Sequence, residues 1–271
     1  MRRVLLAFQF MTIVPVRVTG DVTEKDIAAS AAFFPLVGAF QGLVTALPAC
    51  LIVKILPADI AAVLAMACLI LTSGGFDLDG FADTFDGLAA KSSGDADKDR
   101  AKRLVVMKDS AIGAIGVIAL VMTILLKFLL MRGLLHDFPV LTAGALFFLM
   151  PAFSQWIVVP AMYHGVSARQ DGLGRIFIEH AGLGEVAIAT AITVLLFVLA
   201  LMCGVTGPSV GWAVALSVAF LAAMYLASLL PVRFLTRRFG GLTGDHFGAL
   251  TEVSQVLFLL LASIWVQRPL F

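Results

Sequence analysis

Residues 110–131 read Ser110-Ala-Ile-Gly-Ala-Ile-Gly-Val-Ile-Ala-Leu-Val-Met-Thr-Ile-Leu-Leu-Lys127-Phe-Leu-Leu-Met131, with Lys127 the only charged side chain. A helix needs about 20 mostly apolar residues to cross the hydrocarbon core of a bilayer, and this stretch is long enough. Six others approach or exceed that length, at residues 28–53, 60–76, 138–162, 185–205, 211–232 and 247–266. Together they leave no room for a separate soluble domain. The sequence therefore predicts an all-α integral membrane protein: one membrane-embedded unit over residues 1–271, a polytopic bundle of about seven transmembrane helices with interfacial helical segments. The apolar stretch at 4–16 is shorter, ends at Pro15 and Arg17, and has no small-residue cleavage site after it. It reads as an interfacial or re-entrant segment and not as a removable signal peptide.

Composition supports that class. Of 271 residues 61% are apolar and 14% charged, against roughly 45–50% and about 25% in soluble domains. The net charge of +1 supplies no global field for nucleic acid or for a cationic partner, so function must come from local sites. Cys50, Cys68 and Cys203 sit in apolar runs without metal-ligand spacing, which predicts small buried hydrophobes and neither disulfides nor a zinc site.

Lys and Arg orient the bundle, because cytoplasmic connections carry their excess. Arg2, Arg3, Arg17 and Lys25 precede the first span, and Lys91, Lys98, Arg100, Lys102, Arg103 and Lys108 follow the second. Arg169 and Arg175, then Arg233, Arg237 and Arg238, occupy two more connections on the same side, against Lys54, Arg132 and Arg268 on the other. The crowded face is the predicted cytoplasmic one, with Phe271 outside. Lys127 is expected to snorkel to the outer interface.

Ionisable groups are costly in a membrane, so acids at span ends are informative. Four fall within ten positions of the segment Gly74-Gly-Phe-Asp77-Leu-Asp79-Gly-Phe-Ala-Asp83-Thr-Phe-Asp86-Gly87, at the start of a predicted cytoplasmic loop, 77–109. On a helix Asp79, Asp83 and Asp86, at i, i+4 and i+7, share one stripe. Their mutual repulsion calls for a cation, and oxygen-only ligands suit Mg²⁺, or Mn²⁺, completed by substrate phosphate oxygens. The plainer alternative is a solvated amphipathic segment anchored by Phe76, Leu78, Phe81 and Phe85. Against it stand the glycines that interrupt the segment, its direct contact with a span and the basic connection that follows.

That connection ends in Arg103 and then Met107-Lys108-Asp109-Ser110-Ala-Ile-Gly113-Ala-Ile-Gly116. Arg103 and Lys108 can neutralise phosphate oxygens, while Ser110 and the adjoining helix N-terminus offer donors to an anion. Gly113 and Gly116 admit either a neighbouring helix or a ligand. Gly172-Leu-Gly-Arg175-Ile-Phe-Ile178 is either a plain loop or a binding loop with one Arg. In Gly240-Gly-Leu-Thr243-Gly-Asp245-His246-Phe-Gly248 four glycines surround Thr243 and Asp245 at the mouth of the last span, and Glu252 follows on the same helical face. Buried there, Glu252 needs a partner: either a neighbouring helix or a metal or substrate. His246 and His180 are expected at the interface or in solvent. All four polar connections thus share the face that Lys and Arg assign to the cytoplasm, while the opposite face has short connections such as 206–210.

In order, the blocks GGFxLDGxADxxDG, MKDSxxGxxG, GLGxxFI and GGxTGDxxGAxxE resemble the cobalamin synthase family of membrane-bound adenosylcobinamide-GDP ribazoletransferases. One position departs from the pattern, with Asp77 where the resemblance leads one to expect His. The resemblance implies a bacterial inner-membrane enzyme, active at its cytoplasmic face, that joins adenosylcobinamide-GDP to α-ribazole or its 5'-phosphate and releases GMP. It implies Mg²⁺ held by Asp79, Asp83 and Asp86, with Asp109, or else Asp86, as the base for the acceptor hydroxyl. Arg103, Lys108, Ser110, Arg175, Thr243, Asp245 and Glu252 are then the substrate-binding set. The implied partners are the two small substrates and membrane lipid, not nucleic acid, with a homo-oligomer left open. Two other readings differ in class: a CDP-alcohol-type lipid phosphotransferase, whose DGxxAR core is absent, and a cation-coupled transporter, for which no internal repeat is visible.

Overall fold

The structure, a computed structural model, describes residues 1–204 and 209–267. Among these residues there is no strand, only one isolated bridge between Ser167 and Leu242. The sequence-based expectations for 206–208, Arg268 and Phe271 lie outside the described residues. The helices run α1 (Arg2–Met11), α2 (Glu24–Ser30), a 3-10 turn (Ala31–Phe33), α3 (Phe34–Ile52), α4 (Ala58–Ser73), α5 (Phe76–Ala89), α6 (Ala96–Val106), α7 (Ala114–Asp137), α8 (Val140–His164), α9 (Leu173–His180), α10 (Leu183–Gly204), α11 (Val210–Phe239) and α12 (Gly244–Gln267).

Six of these stretches are long and apolar enough to cross a membrane, and α4 with α5 makes a seventh if counted as one broken span. The expected bundle is therefore present. The first span begins earlier than its apolar run, because Thr23 and Asp26 form a capping box that starts α2, and α2 to α3 runs on through Glu24–Ile52. The span expected at 60–76 ends at Ser73. Gly74 and Gly75 take φ of +69° and +77°, a left-handed turn open to glycine, and the chain bends by 87° into α5. Phe76 thus belongs to the acidic helix, and the loop expected at 77–109 is largely α5 and α6.

At the centre stands α8. Of its apolar window 89% is buried, against 17% in α7, 28% in α10 and 22% in α11. The outer helices keep side chains such as Val121, Leu125, Leu195, Leu199 and Leu226 exposed, as expected of a lipid-facing surface. On the other side α3 lies directly against α8 because Gly38 and Gly42 present bare backbone. A Cβ at either would stand 2.4 Å from the Pro151 carbonyl oxygen or 2.2 Å from that of Phe148, the small-residue packing by which membrane helices approach. The segment at 4–16 forms α1, whose C-terminal Thr12 hydroxyl donates to the Phe8 carbonyl. The Ile13 amide donates to Thr72 at the end of α4.

Lys127 does not snorkel. It is 1% exposed, and its Nζ donates to Glu252 Oε2 at 2.6 Å and to Gln255 Oε1 at 2.7 Å. Inside the bundle a paired charge costs less than one dragged past apolar neighbours towards water, provided that a partner lies within reach; the carboxylate on α12 is that partner. Arg132, nearer the end of α7, pairs with Asp59.

Candidate functional site

Four segments distant in sequence meet at one end of the bundle, and glycines are the points of contact. A Cβ on Gly80 of α5 would stand 2.7 Å from the Asp245 carbonyl oxygen of α12, one on Gly248 2.8 Å from that of Asp77, and one on Gly174 of α9 2.6 Å from the Gly244 amide. Gly87 faces Met107 and Phe239 just as closely. The backbone bridge between Ser167 and Leu242 and the bond from the Leu242 amide to the Val166 carbonyl tie the loop after α8 to the loop before α12.

Asp86 points into the start of α7. Its two carboxylate oxygens accept from the amides of Gly113, at 2.7 Å, and Gly116, at 2.8 Å. The carboxylate meets orphan N–H groups at the positive end of a helix dipole. A Cβ at either glycine would stand 2.4 Å from a carboxylate oxygen, so both glycines admit this side chain. Asp83, half-buried, faces a different group: Asp79, Asp245 and Asp86 repel its charge and Arg169 attracts it. Asp79 is exposed at the rim. Asp245 accepts from the Thr243 hydroxyl at 3.2 Å and pairs with Arg169 at 3.2 Å. Among the described residues no three His, Cys, Asp or Glu side chains enclose a metal by themselves. What the site offers a cation is an all-oxygen set in which one guanidinium faces several carboxylates. That fits Mg²⁺, which usually keeps waters and takes substrate oxygens with only one or two carboxylates.

The expected phosphate-binding cations sort into two groups. Arg103 is buried, and its Nη1 donates to the Arg238 carbonyl at 2.8 Å, at the C-terminal end of α11. Arg175 pairs with Glu24 at 2.8 Å and with Glu179, and Glu179 first, then Glu24, raises its already high pKa. Both are tied to neighbouring helices, and each keeps a buried Nε without a partner. Lys108 and Ser110 are exposed beside Asp109, whose Oδ1 accepts from the Ala111 amide at 3.0 Å. Arg169, read from sequence only as a topology marker, has Nε and Nη2 buried without partners beside the acids. In sequence Arg169 is one of fifteen cationic residues on that face, and no motif spacing sets it apart.

Glu252 finds a partner on a neighbouring helix, Lys127 of α7. His246 is neither interfacial nor solvated: it is fully buried, its Nδ1 accepts from the Thr243 amide at 2.9 Å, and its ring packs edge-on against Phe239. Accepting at Nδ1 fixes the neutral tautomer with hydrogen on Nε2, and the imidazole staples the turn that presents Thr243 and Asp245. His180 ends α9 near Glu24. Asp77 points inward and accepts weakly from Gln155 Nε2 at 3.4 Å, on the opposite side of α5 from the rim acids. Cys203 is exposed, and Cys50 and Cys68 are only partly buried, so the expectation of buried cysteines fails. Cys50 Sγ does touch the Val140 carbonyl in the interior.

Fold and site together define a polytopic α-helical membrane protein whose acids, the half-paired guanidinium of Arg169 and four glycine-rich segments gather at one end. Residues 3–263 match the family described as cobalamin-5-phosphate synthase. The chain is 38% identical over 267 residues to an adenosylcobinamide-GDP ribazoletransferase of Geotalea daltonii, with 96% of each chain covered. It is 32% identical over 262 residues to that of Thermodesulfovibrio yellowstonii, covering 95% of this chain and 94% of the relative. No solved structure matches. The chain belongs to the cobalamin-5-phosphate synthase family.

Proposed function

We propose that this protein is an adenosylcobinamide-GDP ribazoletransferase, catalysing the final step of nucleotide-loop assembly. The acceptor is α-ribazole or its 5'-phosphate. Its hydroxyl oxygen attacks the phosphorus that bears cobinamide, the bond from that phosphorus to the GMP oxygen breaks, and the proton passes to a carboxylate. The products are adenosylcobalamin, or its 5'-phosphate, and GMP. The observation that carries this reading is the meeting of the four glycine-rich segments at the end of the bundle that holds Asp79, Asp83, Asp86, Asp245 and Arg169. Family membership favours it over lipid phosphotransfer and over transport.

Each residue has a role that its surroundings support. The unpartnered nitrogens of Arg169 suit the diphosphate, and exposed Lys108 and Ser110 suit its outer oxygens. Asp79 and Asp83 would hold Mg²⁺, which when bound neutralises developing charge on the diphosphate. Asp86, engaged by α7, sets the register of the acidic helix. Asp109, exposed and next to Lys108, takes the acceptor proton. Thr243 and Asp245 orient Arg169. The active end faces the cytoplasm from the bacterial inner membrane, as the excess of Lys and Arg on that face supports.

Purified protein in detergent, given adenosylcobinamide-GDP and α-ribazole, should release GMP in step with the new cobamide. Addition of a chelator should stop release and Mg²⁺ should restore it. Turnover unchanged by chelator would remove the metal from the reading, and GMP release without cobamide would make the protein a hydrolase.

A further inference from the structure

Thr243 immediately precedes α12, and His246 stands three residues further on. In a capping box the residue at that third position, Glu or Gln, turns back to accept from the amide at the cap. Here an imidazole does so: Nδ1 of His246 accepts from the Thr243 amide at 2.9 Å. The ring is fully buried against Phe239, and its Nε2 has no partner. An unmet buried donor is costly, and an apolar side chain at 246 would carry none. The acceptor at Nδ1 is therefore what the position calls for.

That bond heads a short relay. The Thr243 hydroxyl donates to Asp245 Oδ2 at 3.2 Å, and the same oxygen pairs with Arg169 Nη1 at 3.2 Å. A second tie runs through the backbone. The Leu242 amide donates to the Val166 carbonyl at 2.7 Å, and the Ala168 amide to the Leu242 carbonyl at 2.9 Å. The residues just before Thr243 and Arg169 are thus paired with each other. A Cβ on Gly241 would stand 2.4 Å from the Val166 oxygen, so the two loops have no room to slide.

Charge explains why the acceptor is not a carboxylate. Asp79, Asp245 and Asp86 already repel Asp83, and Arg169 opposes them. A glutamate at 246 would close the same turn with one more negative charge, next in chain to Asp245, and would compete for a guanidinium whose Nε and Nη2 are unpartnered. An imidazole accepting at Nδ1 is neutral and closes the turn without that charge.

We propose that His246 is a positioning residue for the diphosphate substrate: a neutral acceptor that locks the turn before α12 and, through Asp245 and the paired loops, aims Arg169. The role rests on the reading of Arg169 as a diphosphate ligand. His246 itself, fully buried, is out of reach of substrate.

The test compares His246→Gln with His246→Glu in the full-length protein in detergent, by equilibrium dialysis of GDP with Mg²⁺ and by GMP-release kinetics. Both side chains can accept from the cap amide, so a purely structural cap is served by either. His246→Gln should bind GDP and keep both KM values near those of wild type. His246→Glu should weaken GDP binding and raise KM for adenosylcobinamide-GDP about three- to tenfold, with KM for α-ribazole unchanged. In an Arg169→Ala background it should change neither any further, since residues that act through one contact are not additive. If His246→Glu does not fold, His246→Leu, which lacks the acceptor, takes its place with the same expectation. Equal GDP binding by the compared variants, a parallel shift in both KM values, or an undiminished loss without Arg169 would overturn the role and leave the reaction standing. The expected GDP pattern in a protein that forms no cobamide would overturn the reaction and leave the role.

Discussion

Lys127 and Glu252 face each other inside the bundle at 2.6 Å, each almost fully buried. Removing one partner strands the other, at a cost of about 3 to 5 kcal/mol, whereas replacing both with apolar residues of similar size is near neutral. Lys127→Met and Glu252→Gln should therefore each lower the melting temperature in detergent sharply, and Lys127→Met with Glu252→Leu should recover most of it. The sequence shows the lysine in a span and the glutamate on another helix, but nothing in either run says that they meet. Asp99 makes a different kind of anchor. The Ser92 hydroxyl first, then the Ser93 amide, hold its pKa at about 2, below the ordinary 3.8. A depressed acid stabilises the fold above its unfolded pKa and loses that contribution as pH falls towards the folded value. Protection from hydrogen exchange in residues 91–99, taken relative to the intrinsic rate at each pH, should thus be held at pH 5 and fall as pH approaches 2, while Asp99→Ala should lose it already at pH 7. Arg169→Ala should raise KM for the GDP substrate about tenfold or more, since a charged hydrogen bond is worth about 1.5 to 3 kcal/mol; Arg175→Ala should leave that KM unchanged.

Helix α5 joins architecture to chemistry. Its stripe of Asp79, Asp83 and Asp86 was legible from spacing alone, because i, i+4 and i+7 fall together on any α-helix. Its direction was not. The apolar run continues to Phe76 without pause, and only the left-handed pair Gly74 and Gly75 turns the chain by 87°. The three acids then part company: Asp86 caps α7 through Gly113 and Gly116, while Asp79 and Asp83 stay at the rim. Asp86→Asn presents an NH₂ group to an amide donor, so it should lower stability by about 1 kcal/mol as well as activity. Asp79→Asn and Asp83→Asn should melt like wild type and shift the Mg²⁺ dependence instead. Thermal unfolding beside a Mg²⁺ titration of turnover separates the two outcomes. Gly116→Ala should behave like Asp86→Asn, since its Cβ meets the same carboxylate.

At the scale of the whole molecule, seven apolar runs and the placement of Lys and Arg suffice for bundle class and for the grouping of the four polar connections. Periodicity could not reveal the order of packing. Both α8 and α7 are long and apolar, yet one is enclosed and the other faces outward, a difference carried by Gly38 and Gly42 on a third helix. Orientation is open to a direct test: in a background without native cysteines, Ala101→Cys, exposed on α6, should resist an impermeant thiol reagent in intact cells and react after lysis. The central claim, that the gathered acids and Arg169 form one transferase centre, is tested most directly by kcat for Asp83→Asn, measured as GMP release on protein shown to melt like wild type. The account predicts a fall of at least about a hundredfold, the scale of losing one preorganised electrostatic contact in a transition state. Wild-type kcat in that variant, with an unaltered Mg²⁺ requirement, would contradict it.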